Sequence, residues 1–421
     1  MEKIKPNKKQ LEFLDWEFGI FFHFGIRSFY HGHKDWDGRE MSPEKFNPET
    51  LDIYSWIRTA KMAGAKYTIL TTKHHDGFAN WPSKYTDYSV ANTPWQNGKG
   101  DVVALYVDAC HKYGMKVGIY YSPAQWGGKI KFDDPKEYDD YFINQITELL
   151  TSYGKIDYLW FDGCGSDGHE YDKDRIIKEI RLLQPEILIF DMWNPDTVWV
   201  RNEDGYADME SYVVGPLAPK NSLSADEGKY KFLPRECDMR MRDTWFDCEA
   251  NEDTVKSLEE LMGIYEYSVG RGCNLLLNIG PDSRGLLPEK DAARLLEFGN
   301  EIRKRYGNPL PFEDLTKNGN DYTLSVAFSN EPSNSSLLGR FLVNALVIEE
   351  DLTEGESVEE FEIYGDIPLY NYLCTLYRGK FIGHKAICRF PAISTNKIVV
   401  RILKSNGEPV IKSIKAFYID K

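Results

Sequence analysis

Along the longer N-terminal part of the chain, short unbroken apolar runs alternate with stretches of helical period. The runs are Trp16–Gly25, Tyr67–Thr72, Met115–Tyr121, Ile156–Phe161, Ile187–Phe190 and Asn274–Gly280. A run with no polar alternation is what a strand buried on both faces looks like, and that is the habit of parallel sheets covered by helices. Between the runs, Ser55–Ala63, Asp101–Tyr113, Glu137–Tyr153, Asp174–Leu183, Thr254–Val269 and Glu289–Tyr306 place apolar residues three and four apart. Several of these stretches are closed by Gly64, Gly114, Gly154 or Pro185, which are helix stop signals. Strand and helix in alternation with short gaps predict a (β/α)8-like barrel. From Trp193 to Trp245 the alternation is lost, and this stretch reads as long loops.

Beyond Asn308-Pro-Leu-Pro311 the pattern changes to short alternating runs, among them Tyr322–Phe328, Gly339–Ile348, Ser357–Tyr364, Ala386–Phe390 and Lys397–Leu403. Period-two runs divided by turn residues are the signature of an antiparallel sandwich. The fold class is therefore α/β plus all-β, with a barrel over 1–312 and a β-sandwich over 313–421.

Candidate chemistry sits where the runs end. Ile156–Phe161 terminates in Asp162-Gly163, so one carboxylate stands at the carboxyl end of a strand, the face on which barrel enzymes keep their catalytic groups. His23 closes the first run, and the second leads into Lys73-His74-His75-Asp76. The loop after the first strand carries Asp35 and Trp36. No HExxH or facial-triad spacing accompanies the histidines and no cysteine pairs have zinc spacing, so no metal is expected. No Gly-rich nucleotide-binding motif follows any strand, which leaves no cofactor.

A net charge of -15 repels nucleic acid and anionic membrane surfaces, so neither is a partner. The opening MEKIKPNKKQ precedes no long apolar segment, and seven cysteines without pairing motifs suit a reducing compartment. The expectation is a cytoplasmic protein, or a secreted or periplasmic one if a signal was trimmed. Oligomeric state is not legible. The 26 Tyr and 10 Trp exceed what packing asks for, and flat aromatic faces are what sugar rings stack on.

Carboxylates at a barrel mouth with abundant aromatics and no cofactor point to glycoside hydrolysis, which asks for a carboxylate nucleophile and a carboxylic general acid/base. Asp162 suits the nucleophile because its strand holds it rigidly. Glu203 and Glu236, both in the irregular region, are the candidates for the acid/base. Glu236 follows Arg235 and precedes Arg240 and Arg242, basic company expected to hold its pKa down and so to disfavour it as a proton donor.

These same segments carry a resemblance. Gly19–Gly25, Tyr67–Phe78 with Lys73-His74-His75-Asp76-Gly77-Phe78, Gly118–Ser122, Tyr158–Gly163 and Asn274–Pro281 resemble, in order, the α-L-fucosidases of glycoside hydrolase family 29. Asn344–Gly355 and Phe381–Ala386 look like that family's C-terminal sandwich, most like the branch acting on 1,3- and 1,4-linked fucose. The resemblance implies a retaining exo-α-L-fucosidase acting on fucosylated oligosaccharides or glycans, with Asp162 as nucleophile and neither metal nor cofactor. It implies sugar contacts from His23, His74, His75 and Tyr121, from Asp35 and Trp36 in the first loop, and an aromatic wall at Trp245. Trp199–Tyr206 resembles the loop that supplies the acid/base in the 1,3/1,4 branch, which favours Glu203; Leu233–Asp238 resembles the element that supplies it in the broader branch, which is the case for Glu236. Asp35 stands where the family has Glu, and Val198 where the branch has Arg. Three other classes compete: an inactive fucose-binding protein, a hydrolase of a related α-glycoside, and a metal-dependent hydrolase using His74 and His75.

Overall fold

A computed structural model describes residues 3–30, 39–125, 134–166, 168–209, 213–216, 230–312, 314–326, 339–366 and 372–420. Eight parallel strands form the N-terminal part: β1 Phe18–Phe22, β2 Tyr67–Lys73, β3 Lys116–Tyr121, β4 Tyr158–Phe161, β5 Leu188–Phe190, β6 Val198–Trp199, β7 Arg235–Arg240 and β8 Asn274–Ile279. They lie in the order β5-β4-β3-β2-β1-β8-β7-β6. A parallel bridge from Phe190 to Thr197 spans the seam between β5 and β6, so the sheet is a nearly closed barrel.

Helix α1 (Lys8–Trp16) precedes β1, and α2 (Ile53–Ala63), α3 (Val102–Tyr113), α4 (Pro135–Ser152) and α5 (Lys173–Leu183) connect the first five strands. The N-termini of α2 to α5 are fixed by Asp52, Asp101, Asp134 and Asp172, whose carboxylates accept backbone N–H groups of the first turn. Gly64 and Gly114 end α2 and α3 in the left-handed region. After β7 come α6 (Leu258–Ser268) and, after β8, α7 (Glu289–Tyr306). Among the described residues, two helices of the full barrel pattern are missing. No helix lies between β5 and β6, because three non-glycine residues with positive φ, Asp191, Trp193 and Asn194, turn the chain straight back. Among the described residues none lies between β6 and β7 either.

The barrel interior is aromatic. Phe21, Tyr67, Tyr120, Tyr158 and Trp160 fill it in layers, and Phe13 and Trp16 of α1 close its floor against Tyr67 and Tyr158. Outward-facing residues of the same strands pack on the helices, which is why neither face left a polar alternation in the sequence.

The antiparallel part holds β9 Asp314–Asn318, β10 Asp321–Ser325, β11 Phe341–Glu350, β12 Val358–Asp366, β13 Leu373–Lys380, β14 Ala386–Thr395, β15 Lys397–Ser405 and β16 Ile411–Phe417. A five-stranded sheet, β9-β10-β15-β12-β13, faces a three-stranded one, β14-β11-β16, across a shared apolar core containing Leu346, Phe361, Ile363 and Val400. The outer face of the smaller sheet packs on the barrel, where Phe417 meets Tyr306 of α7 with ring centroids 5.7 Å apart. No described helix is long and apolar enough to cross a membrane.

Candidate active site

β4 alternates inward and outward, so Tyr158, Trp160 and Asp162 line the barrel from floor to mouth. Asp162 is the top layer. Its Oδ1 accepts the backbone N–H of Cys164 at 2.8 Å, in a turn closed by Ser166 N–H donating to Gly163 O at 3.2 Å. Its Oδ2 accepts the Tyr120 hydroxyl at 2.8 Å and faces His75 Nε2 at 3.2 Å.

The protonation of His75 follows from its partners. Ser122 donates its hydroxyl to Ala124 O at 2.9 Å, so the 2.6 Å contact between Ser122 Oγ and His75 Nδ1 requires the proton on nitrogen. The carboxylate on the other side can only accept, and His75 is therefore an imidazolium. Burial works against this charge, but Asp162 outweighs it and raises the His75 pKa to about 9. In return, burial pushes Asp162 upward, yet the imidazolium, the Cys164 amide and the Tyr120 hydroxyl bring its carboxyl below the ordinary value. Asp162 is ionised at neutral pH.

The other two histidines are neutral. His23 Nδ1 lies 2.7 Å from Asn278 Oδ1, and Asn278 donates its amide to Trp245 O at 2.7 Å, which orients the amide so that His23 Nδ1 must donate. Its Nε2 is left as an acceptor, and burial lowers its pKa to about 3. Burial and the charge of neighbouring His75 take His74 well below its usual value, and its buried Nδ1 has no hydrogen-bond partner among the described residues. His74 stacks on Tyr120 at 5.6 Å, and His23 lies 4.9 Å from the Trp245 ring. The bulge between Thr71 and Lys73 ends regular pairing of β2 with β3 just before the two histidines.

Glu203 lies on the loop after β6. Asn202 shapes that loop, its Oδ1 accepting the Asp204 N–H at 3.1 Å and its Nδ2 donating to Tyr206 O at 2.9 Å. Arg240 Nη2 sits 3.7 Å from Glu203 Oε2, and the side chain is 45% exposed, so it is open to solvent at the mouth. Partial burial raises its pKa, with the negative charge of Asp162 adding to the effect against Arg240 and Trp245.

Glu236 is elsewhere. It is the first inward residue of β7 and is fully buried, with its carboxylate accepting from Tyr67 at 2.5 Å, Trp160 Nε1 at 2.9 Å and Tyr158 at 3.3 Å. Those partners belong to the layers beneath Asp162, so Glu236 lies under the site and not at its mouth. The expected depression of its pKa is also reversed: burial raises it to about 7, because the neighbouring arginines in sequence are not its neighbours in the barrel. Tyr121 is a second correction. It points out of the barrel and donates to Gln145 of α4 at 2.7 Å, while Tyr120 faces inward and holds Asp162. Asp35 and Trp36 lie outside the described residues. Tyr120, Ser122 and Arg240 were missed by sequence reasoning: the first is hidden in an unalternating run, and the other two act through partners distant in the chain.

Comparison with known proteins places the chain in a family. Residues 1–307 match the family model described as Alpha-L-fucosidase. Alpha-L-fucosidase 1 of Arabidopsis thaliana is 32% identical, over 99% of this chain and 88% of its own length. Tissue alpha-L-fucosidase of Bos taurus is 28% identical over 62% of this chain and 54% of its own. A crystal structure of a glycoside hydrolase 29 family member from an unknown rumen bacterium superposes with a TM-score of 0.88 at 29% identity, covering all of this chain and 78% of that one. The chain belongs to the alpha-L-fucosidase family of glycoside hydrolases, family 29.

Proposed function

We propose that this protein is an exo-acting α-L-fucosidase that removes terminal α-linked L-fucose with retention of configuration, Asp162 serving as nucleophile and Glu203 as acid/base. The observation that carries this reading is the pair of opposed environments at the mouth: a carboxylate kept ionised by an imidazolium, and a second carboxyl pushed towards its neutral form. Asp162 Oδ1 or Oδ2 attacks the anomeric carbon as Glu203 protonates the departing oxygen, giving a fucosyl ester of Asp162. Once esterified, Asp162 carries no charge. Its contribution to the raised pKa of Glu203 then vanishes, so Glu203 stays ionised, the form that can take a proton from the incoming water. Neutral His23 Nε2 and His74 Nδ1 are suited to the sugar hydroxyls, and the buried His74 Nδ1, which has no partner among the described residues, would gain one from a hydroxyl.

Within the family, the favoured placement is the branch acting on 1,3- and 1,4-linked fucose. What supports it is the loop Trp199–Tyr206 presenting Glu203 near Arg240, while Glu236 is sealed beneath the site.

The test uses an aryl fucoside and a fucosylated oligosaccharide in parallel. Asp162→Asn is expected to lose hydrolysis of both by roughly 10³-fold or more. Glu203→Ala is expected to lose oligosaccharide cleavage by about 10²- to 10⁴-fold while sparing the activated substrate, with azide rescuing it to the α-fucosyl azide. Wild-type turnover in Asp162→Asn, or azide rescue in Glu236→Ala alone, would overturn the assignment. An inactive fucose-binding protein would bind the sugar and hydrolyse neither substrate.

A further inference from the structure

The turn after β4 folds residue 164 back over the carboxylate of residue 162. The Cys164 amide is bonded to Asp162 Oδ1, and the Cys164 side chain is exposed at the mouth. Its thiol, His75 Nε2 and an Asp162 carboxylate oxygen all lie within 4.8 Å of one another. These are three different donor types on two strand ends: sulfur, imidazole nitrogen and carboxylate oxygen.

We propose that Cys164, His75 and Asp162 together form a site for a thiophilic divalent cation such as Zn²⁺, which binds in competition with the sugar and switches the enzyme off. Tetrahedral zinc bonds of about 2.0–2.3 Å set ligand atoms about 3.3–3.6 Å apart. The 3.2 Å between His75 Nε2 and Asp162 Oδ2 is already close to that spacing. Only the exposed thiol has to close in, by rotation about a side chain that nothing buries. A mixed sulfur, nitrogen and oxygen set selects zinc and similar ions over Mg²⁺ or Ca²⁺, which prefer oxygen alone. The cation would replace the protons on His75 Nε2 and on the thiol. It would also occupy the carboxylate that the proposed mechanism needs free, so the inhibition rests on that reading of Asp162, whereas the binding does not.

Two measurements on the full chain separate these. Titration with Co²⁺ is expected to produce a thiolate-to-cobalt charge-transfer band that is absent from Cys164→Ser and Cys164→Ala and retained in Cys374→Ser, whose thiol is partly exposed in the C-terminal sheets. Both Cys164 variants keep the backbone amide that Asp162 uses. Zn²⁺ is expected to inhibit aryl fucoside hydrolysis competitively, with an inhibition constant at least tenfold weaker in each Cys164 variant, measured against that variant's own rate. A missing band, a band that survives in the Cys164 variants, or inhibition indifferent to residue 164 would overturn the proposal. A band that vanishes with Cys164 in a protein that hydrolyses no fucoside would leave the cation site standing and remove the reading of function.

Discussion

Tyr120 and Tyr121 are adjacent, equally buried and chemically identical, yet the pleat of β3 gives them unrelated work. Tyr120→Phe removes one of the donors that hold Asp162 below its ordinary pKa, so the acidic limb of the kcat/KM profile should move to higher pH and the rate fall by roughly tenfold, the worth of about 1.4 kcal/mol in a charge-assisted hydrogen bond. Tyr121→Phe should leave that profile in place and cost about 1 kcal/mol of stability through the lost bond to Gln145, read by urea unfolding. Nothing in the run Met115–Tyr121 distinguishes the two rings, since both faces of the strand are buried and the alternation that would orient them is erased. Asp162, His23, His74 and His75 stand out in the sequence as polar exceptions at the ends of apolar runs, while the roles expected of the histidines came from the family resemblance. Glu236 carries a different prediction. Its carboxyl rises from an ordinary 4.5 to about 7 in the folded chain, so between those values the native state holds a proton that the unfolded state has lost. The contribution is fully present below pH 4.5, declines as pH rises, and is gone above about 7, a span worth about 3 kcal/mol. Glu236→Gln should flatten this slope in unfolding free energies measured from pH 5 to 8, with the wild type losing relative stability as pH increases.

At the scale of elements, the two barrel strands absent from the sequence pattern are β6 and β7, and the reasons differ. β6 is two residues long and leaves no period to detect. β7, Arg235–Arg240, inverts the usual rule: Cys237 and Met239 face the helices while Glu236, Asp238 and Arg240 face the barrel interior, so its alternation reads as a charged loop. Asp238 survives there by accepting from Trp199 Nε1 at 2.6 Å, with burial holding its pKa far up. The same seam lacks its helix and is tied by an ion pair instead. Arg201 Nη1 reaches Asp191 Oδ2 at 2.9 Å, and both residues hold positive φ, 73° and 56°. Strained backbone at both ends of one contact, two residues from Glu203, indicates a clamp on the loop that presents the acid. Arg201→Gly relieves about 1–2 kcal/mol of left-handed strain and forfeits the ion pair, so stability should change by less than about 1 kcal/mol. Oligosaccharide cleavage should nevertheless fall roughly tenfold as the loop loosens, with the activated aryl substrate much less affected. Equal loss on both substrates would mean that the clamp serves the fold and not the proton donor.

For the molecule as a whole, the question is whether barrel and antiparallel sheets are one cooperative unit. Ala345, Val347, Ile387, Phe417 and Ile419, on the outer face of the three-stranded sheet and just after it, belong to the same continuous apolar core as the barrel strands and helices. Polar ties run alongside. Glu266 of α6 accepts from Tyr306 at 2.5 Å and from Arg389 of β14 at 3.0 Å, and Lys385 and His384 both reach Glu17 at the entrance to β1. The Ile387 N–H donates to Gly270 O at 2.9 Å, and a Cβ at Gly270 would stand 2.8 Å from the Ile387 side chain, so the backbones meet at a point only glycine allows. An interface that is apolar at its centre and continuous with a core transmits unfolding, whereas a separable module would show a polar, wet boundary. Thermal and urea unfolding should therefore give one transition, coincident when followed by tryptophan fluorescence, weighted to the barrel, and by far-ultraviolet dichroism. Phe417→Ala should lower that single transition by about 3–5 kcal/mol, as expected for removing a buried ring packed on Tyr306, while turnover under native conditions stays close to wild type because no contact of Asp162 is touched. Two separated transitions in the wild type, or an early transition in Phe417→Ala that spares the fluorescence signal, would show that the sheets fold independently and that the shared core is only contact.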